Sequence, residues 1–244
     1  MQFIRRHFSL LLLLSIVQLS VNTQTIEQTS NESQIPQDSQ TPTPTETIAP
    51  TDQSAPAIPQ KDQEIFDFTN QIRQDPKILI PYLQQLYASF VGNTMHPDGL
   101  KYGIVTKEGP SAVLEAIEFL NNTKPVGPLT WDQSLANSCI NLVEDIGPKG
   151  LFQTTNSNGE TFEERIHNFA NSGNEEENIY REYAENLFFG NLSVKNIIAH
   201  MIIGDGSPGR QLRNQIFSSD FTKMGVFSGP HSKYREMICM DFSN

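Results

Sequence analysis

The chain has 244 residues, with 17 Lys and Arg against 28 Asp and Glu, for a formal net charge of −11. That acid excess argues against DNA or RNA as a partner, because a phosphate backbone is repelled at long range. Two cysteines, Cys139 and Cys239, exclude a disulfide-dense scaffold and a four-cysteine zinc site, while 37% hydrophobic residues suffice for a core.

Arg5, Arg6 and His7 precede an apolar run from Phe8 to about Val21. A basic stretch before a short apolar run predicts a secretory signal over residues 1–23. The run is about 14 residues long, short of the roughly 20 that span a bilayer. Ser20 or Thr23 supplies the small residue for cleavage, though no A-x-A site is present. Retention as an uncleaved anchor is the alternative.

Residues 24–60 read as a disordered stalk. From Ile26 to Gln60, Thr, Ser, Pro and Gln supply 22 of 35 residues and no aromatic residue occurs. Such a segment has too little apolar surface to offset its ordering entropy. Its TPTPTET stretch fits an O-glycosylated stalk or a passive spacer.

From Lys61 to Asn244 the chain reads as one globular domain. Ile65, Phe68 and Ile72 recur at helical spacing, and Asp75-Pro76 stops or kinks that helix. A second helix resumes after Pro81. A third is expected from Pro110 to Leu120. Leu135, Cys139, Leu142 and Ile146 form the clearest amphipathic stripe, with Gly147 and Pro148 as its expected end. Phe162, Ile166 and Phe169 mark a short helix, and Val194 to Ile202 a longer one ending at Gly204. AENLFFG reads as a strand. MGVFSG and YREMICMDF, separated by Pro230, His231, Ser232 and Lys233, read as a hairpin. Helices around a small antiparallel sheet make an α+β arrangement.

The order NSNGETFEERI, AENLFFG, IIGDGSPGRQLRNQIF, MGVFSG and a last strand, preceded by NQIRQDP and LTWDQSLANSCINLVEDIG, resembles the secreted SCP/CAP superfamily. That superfamily holds cysteine-rich secretory proteins, antigen 5 and plant pathogenesis-related proteins. The resemblance runs from Gln63 to the C-terminus. It implies a three-layer α-β-α sandwich around a cleft in which many members carry two histidines and two acids, and some bind a divalent metal. Carried over residue by residue, Glu185 and Asn186 match the family's Glu-Asn pair. Gln153 or Thr154 stands at the first histidine position and Leu212 at the second, within Arg210–Arg213. Asp205 is left of the usual Asp pair, since Gly204 takes the other place. Without imidazole or thiolate, zinc has poor ligands and a general base near pH 7 is missing. We therefore expect no metal, no cofactor and no catalytic residue. A structural role for Glu185, bonded to backbone groups across the cleft, is the expected one.

His96, His167, His200 and His231 do not pair at metal spacing. TNSNGE lacks the Asp and Glu that open and close a calcium loop, so Asn158-Gly159 is read as a turn. No G-x-S-x-G elbow and no P-loop occur. The run Glu175 to Glu177 is read as a solvated loop face. Sequons at Asn31, Asn121 and Asn191 are candidate glycosylation sites, and they require a secretory route to matter.

A signal peptide directs the chain to an oxidising compartment, which favours a Cys139–Cys239 disulfide. Cys139 lies on an apolar helix face, and the family fold places Cys239 in the central sheet beneath it. Two unpaired buried thiols are the alternative. The expected function is a secreted, non-enzymatic domain that binds an extracellular lipid, glycan or protein through the cleft, with lipid or sterol implied by resemblance alone. No stable membrane span is expected once the signal is cleaved. The alternatives are a degenerate hydrolase using Glu185 and Asp205, or a component of a matrix or surface coat.

Overall fold

A computed structural model of the protein describes residues 57–170 and 182–244. The leader, all but the last four residues of the stalk, Asn31 and the Glu175–Glu177 run lie outside the described residues. In chain order come α1 (Gln60–Gln74), a 3₁₀ turn (Pro76–Leu79), α2 (Ile80–Ala88), β1 (Phe90–Val91), β2 (Thr94–Met95) and β3 (Ile104–Val105). There follow α3 (Pro110–Asn122), β4 (Thr130–Trp131), α4 (Gln133–Lys149), α5 (Phe162–Ala170) and β5 (Tyr183–Phe189). The chain closes with α6 (Val194–Ile203), α7 (Gln211–Ile216), β6 (Lys223–His231) and β7 (Arg235–Ser243).

The main sheet has the order β4-β6-β7-β5. Its three long strands are antiparallel, and β4 adds a two-residue parallel edge on β6. Alternation along β7 separates two cores. Ile238, Met240 and Phe242 face the layer that includes Ile65, Ile72 and the apolar face of α6. Met237 and Cys239 face Cys139, Leu142, Val143 and Ile146 of α4. This is the expected α-β-α layering, and among the described residues it is completed by a second small sheet, β1-β2-β3. Its strands have two residues each, too few to show a period.

Helix α4 starts where Asp132 accepts the amides of Ser134 and Leu135. It does not stop at Gly147-Pro148 as the sequence suggests. It runs to Lys149 and ends at Gly150, whose φ of 63° is the left-handed cap. Gly147 serves packing instead: a Cβ there would lie 2.3 Å from the Pro230 carbonyl oxygen. Gly225 plays the same part on β6, where a Cβ would lie 2.1 Å from the Ala136 amide. These contacts set α4 directly on the sheet.

The β6–β7 hairpin turns later than expected. Pro230 pairs with Glu236 and His231 with Arg235 inside the ladder. His231 Nδ1 accepts the amides of Lys233 and Tyr234, so Nε2 carries the proton and donates to the Leu151 carbonyl at 2.9 Å. The ring thus builds the turn that residue type alone had placed at Pro230. Arg73, fully buried on α1, donates to the carbonyls of Gly127, Ile216, Ser218 and Phe221 and ties the α3–β4 and α7–β6 connections together.

Asp62 pins the start of α1 to the sheet. Its Oδ1 accepts the Ser228 amide at 2.9 Å and hydroxyl at 2.5 Å. Burial pushes its pKa up to about 6. A carboxyl raised in the fold contributes stability that is full below its unfolded value, near 4, and lost as pH rises through about 6. Asp62→Asn is expected to flatten stability between pH 4 and pH 6.5 by up to about 2 kcal/mol relative to the parent. Urea unfolding at the two pH values checks this, and parallel slopes in both proteins would count against it.

Candidate functional site

Glu185 and Asn186 are neighbours on β5 and so point to opposite faces of the sheet. Glu185 faces α4 and α5. It stands in register with Asp241 of β7, two residues from Cys239 on the same face. Arg165 of α5 enters from above, its side chain fully buried, and donates Nη2 to Glu185 Oε2. Its Nη1 donates to the Thr154 carbonyl at 2.8 Å. The side chains of Arg165 and Glu185 are 0% and 1% exposed. Beneath them lies the Cys139–Cys239 disulfide, with Cα atoms 5.3 Å apart. Asp241 Oδ1 lies 3.4 Å from the Cys239 sulfur.

Two carboxyls and one guanidinium are thus buried together. Burial raises the pKa of Glu185, against the pull of Arg165. Burial likewise raises Asp241, opposed by Arg165 and by the Ser138 hydroxyl. One proton shared by the two carboxyls brings the group to neutrality, the condition for holding charge in a low-dielectric interior. Glu185 Oε1 and Asp241 Oδ2 make no hydrogen bond among the described residues, consistent with a group that keeps a proton.

The other expected site residues lie in different neighbourhoods. Gln153, half-buried, donates to the carbonyls of Thr155 and Asn156, shaping the loop over Arg165. Asn186, on the far face, donates to the Leu212 carbonyl at 3.1 Å. Asp205 accepts the amides of Lys107 and Glu108 at 2.7 and 2.8 Å, one on each oxygen. Arg210 grips Glu108 and Glu115, and Arg213 donates to Glu115 at 2.6 Å while its guanidinium covers the Phe119 ring at 4.3 Å. Asp205, Arg210 and Arg213 therefore pin α3 and the segment just before it to the α6–α7 turn and to α7.

The histidines are likewise scattered. His200 is buried on α6, where burial pulls its pKa down to about 4. His231 belongs to the hairpin turn, and His96 and His167 are exposed. Asn156 forms the expected turn, with Oδ1 accepting the amides of Asn158 and Glu160. Asn121 and Asn191 are both exposed, Asn121 in the last turn of α3 and Asn191 after β5.

Sequence reasoning missed Arg165 and Asp241. Arg165 sits beside Ile166 and three residues after Phe162, on the side of α5 that the apolar spacing already turned inward. Asp241 shares the strand parity of Cys239. Both signals were present, but neither residue type is expected to be buried without a partner.

Helices on both faces of a small, mostly antiparallel sheet make this an α-β-α domain. The model of the CAP family, the cysteine-rich secretory protein family, matches residues 66–242, and the chain belongs to that family. In solved structures it is similar to an outer surface protein from Borrelia burgdorferi, at 15% identity over 71% of this chain and 94% of that one, with a TM-score of 0.39. It is also similar to an extracellular SCP-domain protein from Bacillus anthracis, at 14% identity over 78% of this chain and 45% of that one, TM-score 0.39. A cysteine-rich secretory protein from Staphylococcus aureus gives 16% identity over 59% and 41%, TM-score 0.35. The chain spans less than half the length of these last two. No curated protein matches it in sequence. Among the described residues, no helix is long and apolar enough to cross a membrane.

Proposed function

We propose that the protein is an extracellular, non-catalytic binding domain in which Arg165 closes the family-aligned centre. The observation that carries this reading is the buried ion pair between Arg165 and Glu185. The guanidinium stands against the family-aligned Glu185, so a divalent cation there meets a like charge. Both neighbouring sulfurs are in a disulfide and cannot serve as thiolate ligands. The residues at this centre therefore do not fit a metal. A hydrolase using Glu185 with Asp205 is disfavoured, because both Asp205 oxygens already accept backbone amides. Proton transfer needs a group within hydrogen-bond reach of substrate, and Glu185 is closed off from solvent. The basic and apolar leader supports secretion, and a matrix or surface-coat role is the alternative to binding.

Calorimetry with zinc chloride on the purified protein at neutral pH tests the reading. No micromolar binding is expected. Zinc binding at micromolar affinity or tighter that disappears in Glu185→Gln would overturn it.

A further inference from the structure

A groove of about 410 Å³ lies at the other end of the sheet. Its walls are the loop 99–104, the turn 190–192 after β5, and the β6–β7 turn at 233–235. Glu185 lies five residues before Gly190 along an extended strand, so the groove is about 15 Å from the closed centre. The volume falls in the range of small-ligand sites.

Its lining has a definite chemistry. Tyr102, 75% exposed, and the half-buried Tyr234 offer flat rings. The buried side chains of Ile104 and Leu192 lie in its floor. Lys101, Lys233 and Arg235 are exposed on its rim, and none makes an ion pair among the described residues. Among the described residues no carboxylate lines it. Glu236, the neighbour of Arg235, is paired with Lys61 instead. Three cationic residues thus line one concavity in a chain of net charge −11, Lys233 with its aliphatic chain over Gly150. Arg235 also holds a left-handed φ of 74°, a conformation that costs a non-glycine residue about 1–2 kcal/mol. The fold keeps a guanidinium where glycine is easier.

We propose that this groove binds an acidic oligosaccharide, one bearing carboxylate or sulfate groups. A sugar ring has an apolar face that lies on tyrosine and a hydroxyl edge that stays in water, which suits a groove with an exposed Tyr102 at its wall. Its acidic groups meet Lys101, Lys233 and the fork of Arg235, which takes a carboxylate or sulfate through two hydrogen bonds. The three cationic residues in the lining favour an acidic ligand, and the vesicle arm below tests a lipid in its place. The inference rests on the binding reading above, and names the ligand class and the place.

The probe is a sulfated heparin-derived tetrasaccharide, titrated into the full secreted chain at low salt. A neutral chitotetraose and vesicles of phosphatidylglycerol in phosphatidylcholine are run in parallel. Arg235→Gly is the informative variant, since it removes the cation and relieves the backbone, so the melting temperature is held or raised. We expect the tetrasaccharide to bind, to weaken as salt rises, and to weaken about tenfold in Arg235→Gly and in Tyr102→Ser. No binding, equal binding of the neutral sugar, unchanged affinity in both variants, or retention on vesicles without saccharide binding each overturns the proposal. Zinc bound at Glu185 would overturn the closed centre and leave this groove standing, so the two readings fail separately.

Discussion

Arg165→Met is expected to cost about 3–5 kcal/mol at neutral pH, a fall of roughly 10 °C in melting temperature for a domain of this size. Among the described residues the guanidinium is the only cation paired with Glu185, and both side chains are buried. Removing it leaves two buried carboxyls in register across β5 and β7 with nothing to balance them. Their pKa values, already raised by burial, then rise further. Carboxyls raised in the folded state stabilise it below their unfolded values and lose that contribution as pH rises through their folded values. The variant should therefore be closest to the parent near pH 5 and furthest from it near pH 8. Adding Glu185→Gln to Arg165→Met should restore more than half of the loss at pH 8. Guanidinium unfolding across this range measures all three proteins. A deficit under about 1 kcal/mol, or one that does not vary with pH, would show that the three groups do not share a charge balance.

Much of this architecture is legible in the sequence because the helices follow local rules. Leu135, Cys139, Leu142 and Ile146 repeat at the helical period, and Gly204 supplies the left-handed cap that ends α6. What the sequence hides is decided by distant partners. Pro148 reads as a stop, yet Gly147 is needed against Pro230 and the helix runs on to Gly150. His231 reads as a turn residue, yet its ring is what holds the turn, through amides two and three residues later. The polar centre was half legible. Glu185 stood out by resemblance, whereas Arg165 and Asp241 acquire meaning only when α5 and β7 are laid on β5. Asp205, Arg210 and Arg213 drew attention as a motif. Their partners Glu108 and Glu115 lie about a hundred residues earlier, a separation that no local pattern reports.

Replacing both cysteines by alanine is expected to be of similar size, about 4–5 kcal/mol in the chain-entropy account of cross-links. The bridge joins positions 100 residues apart, from the middle of α4 to the middle of β7. It therefore closes most of the domain into one loop, and its absence enlarges the unfolded ensemble accordingly. The folded state loses less, because α4 is also held by the close approach at Gly225 and by Leu142, Val143 and Ile146 against Met237. The double variant should thus keep its native spectrum at room temperature while unfolding at lower denaturant. Reduction of the parent should be slow for a separate reason. Both sulfurs are fully buried, so an attacking thiolate has no path until α4 lifts from the sheet. Two carboxyls beside Cys239 further disfavour a thiolate there. Dithiothreitol should leave the native protein bridged over hours, and reduce it within minutes once urea has unfolded it. Alkylation followed by intact mass reads the outcome. Two modified thiols in the untreated native or denatured chain would refute the bridge. Rapid reduction without denaturant would show instead that α4 opens locally far more readily than its packing implies.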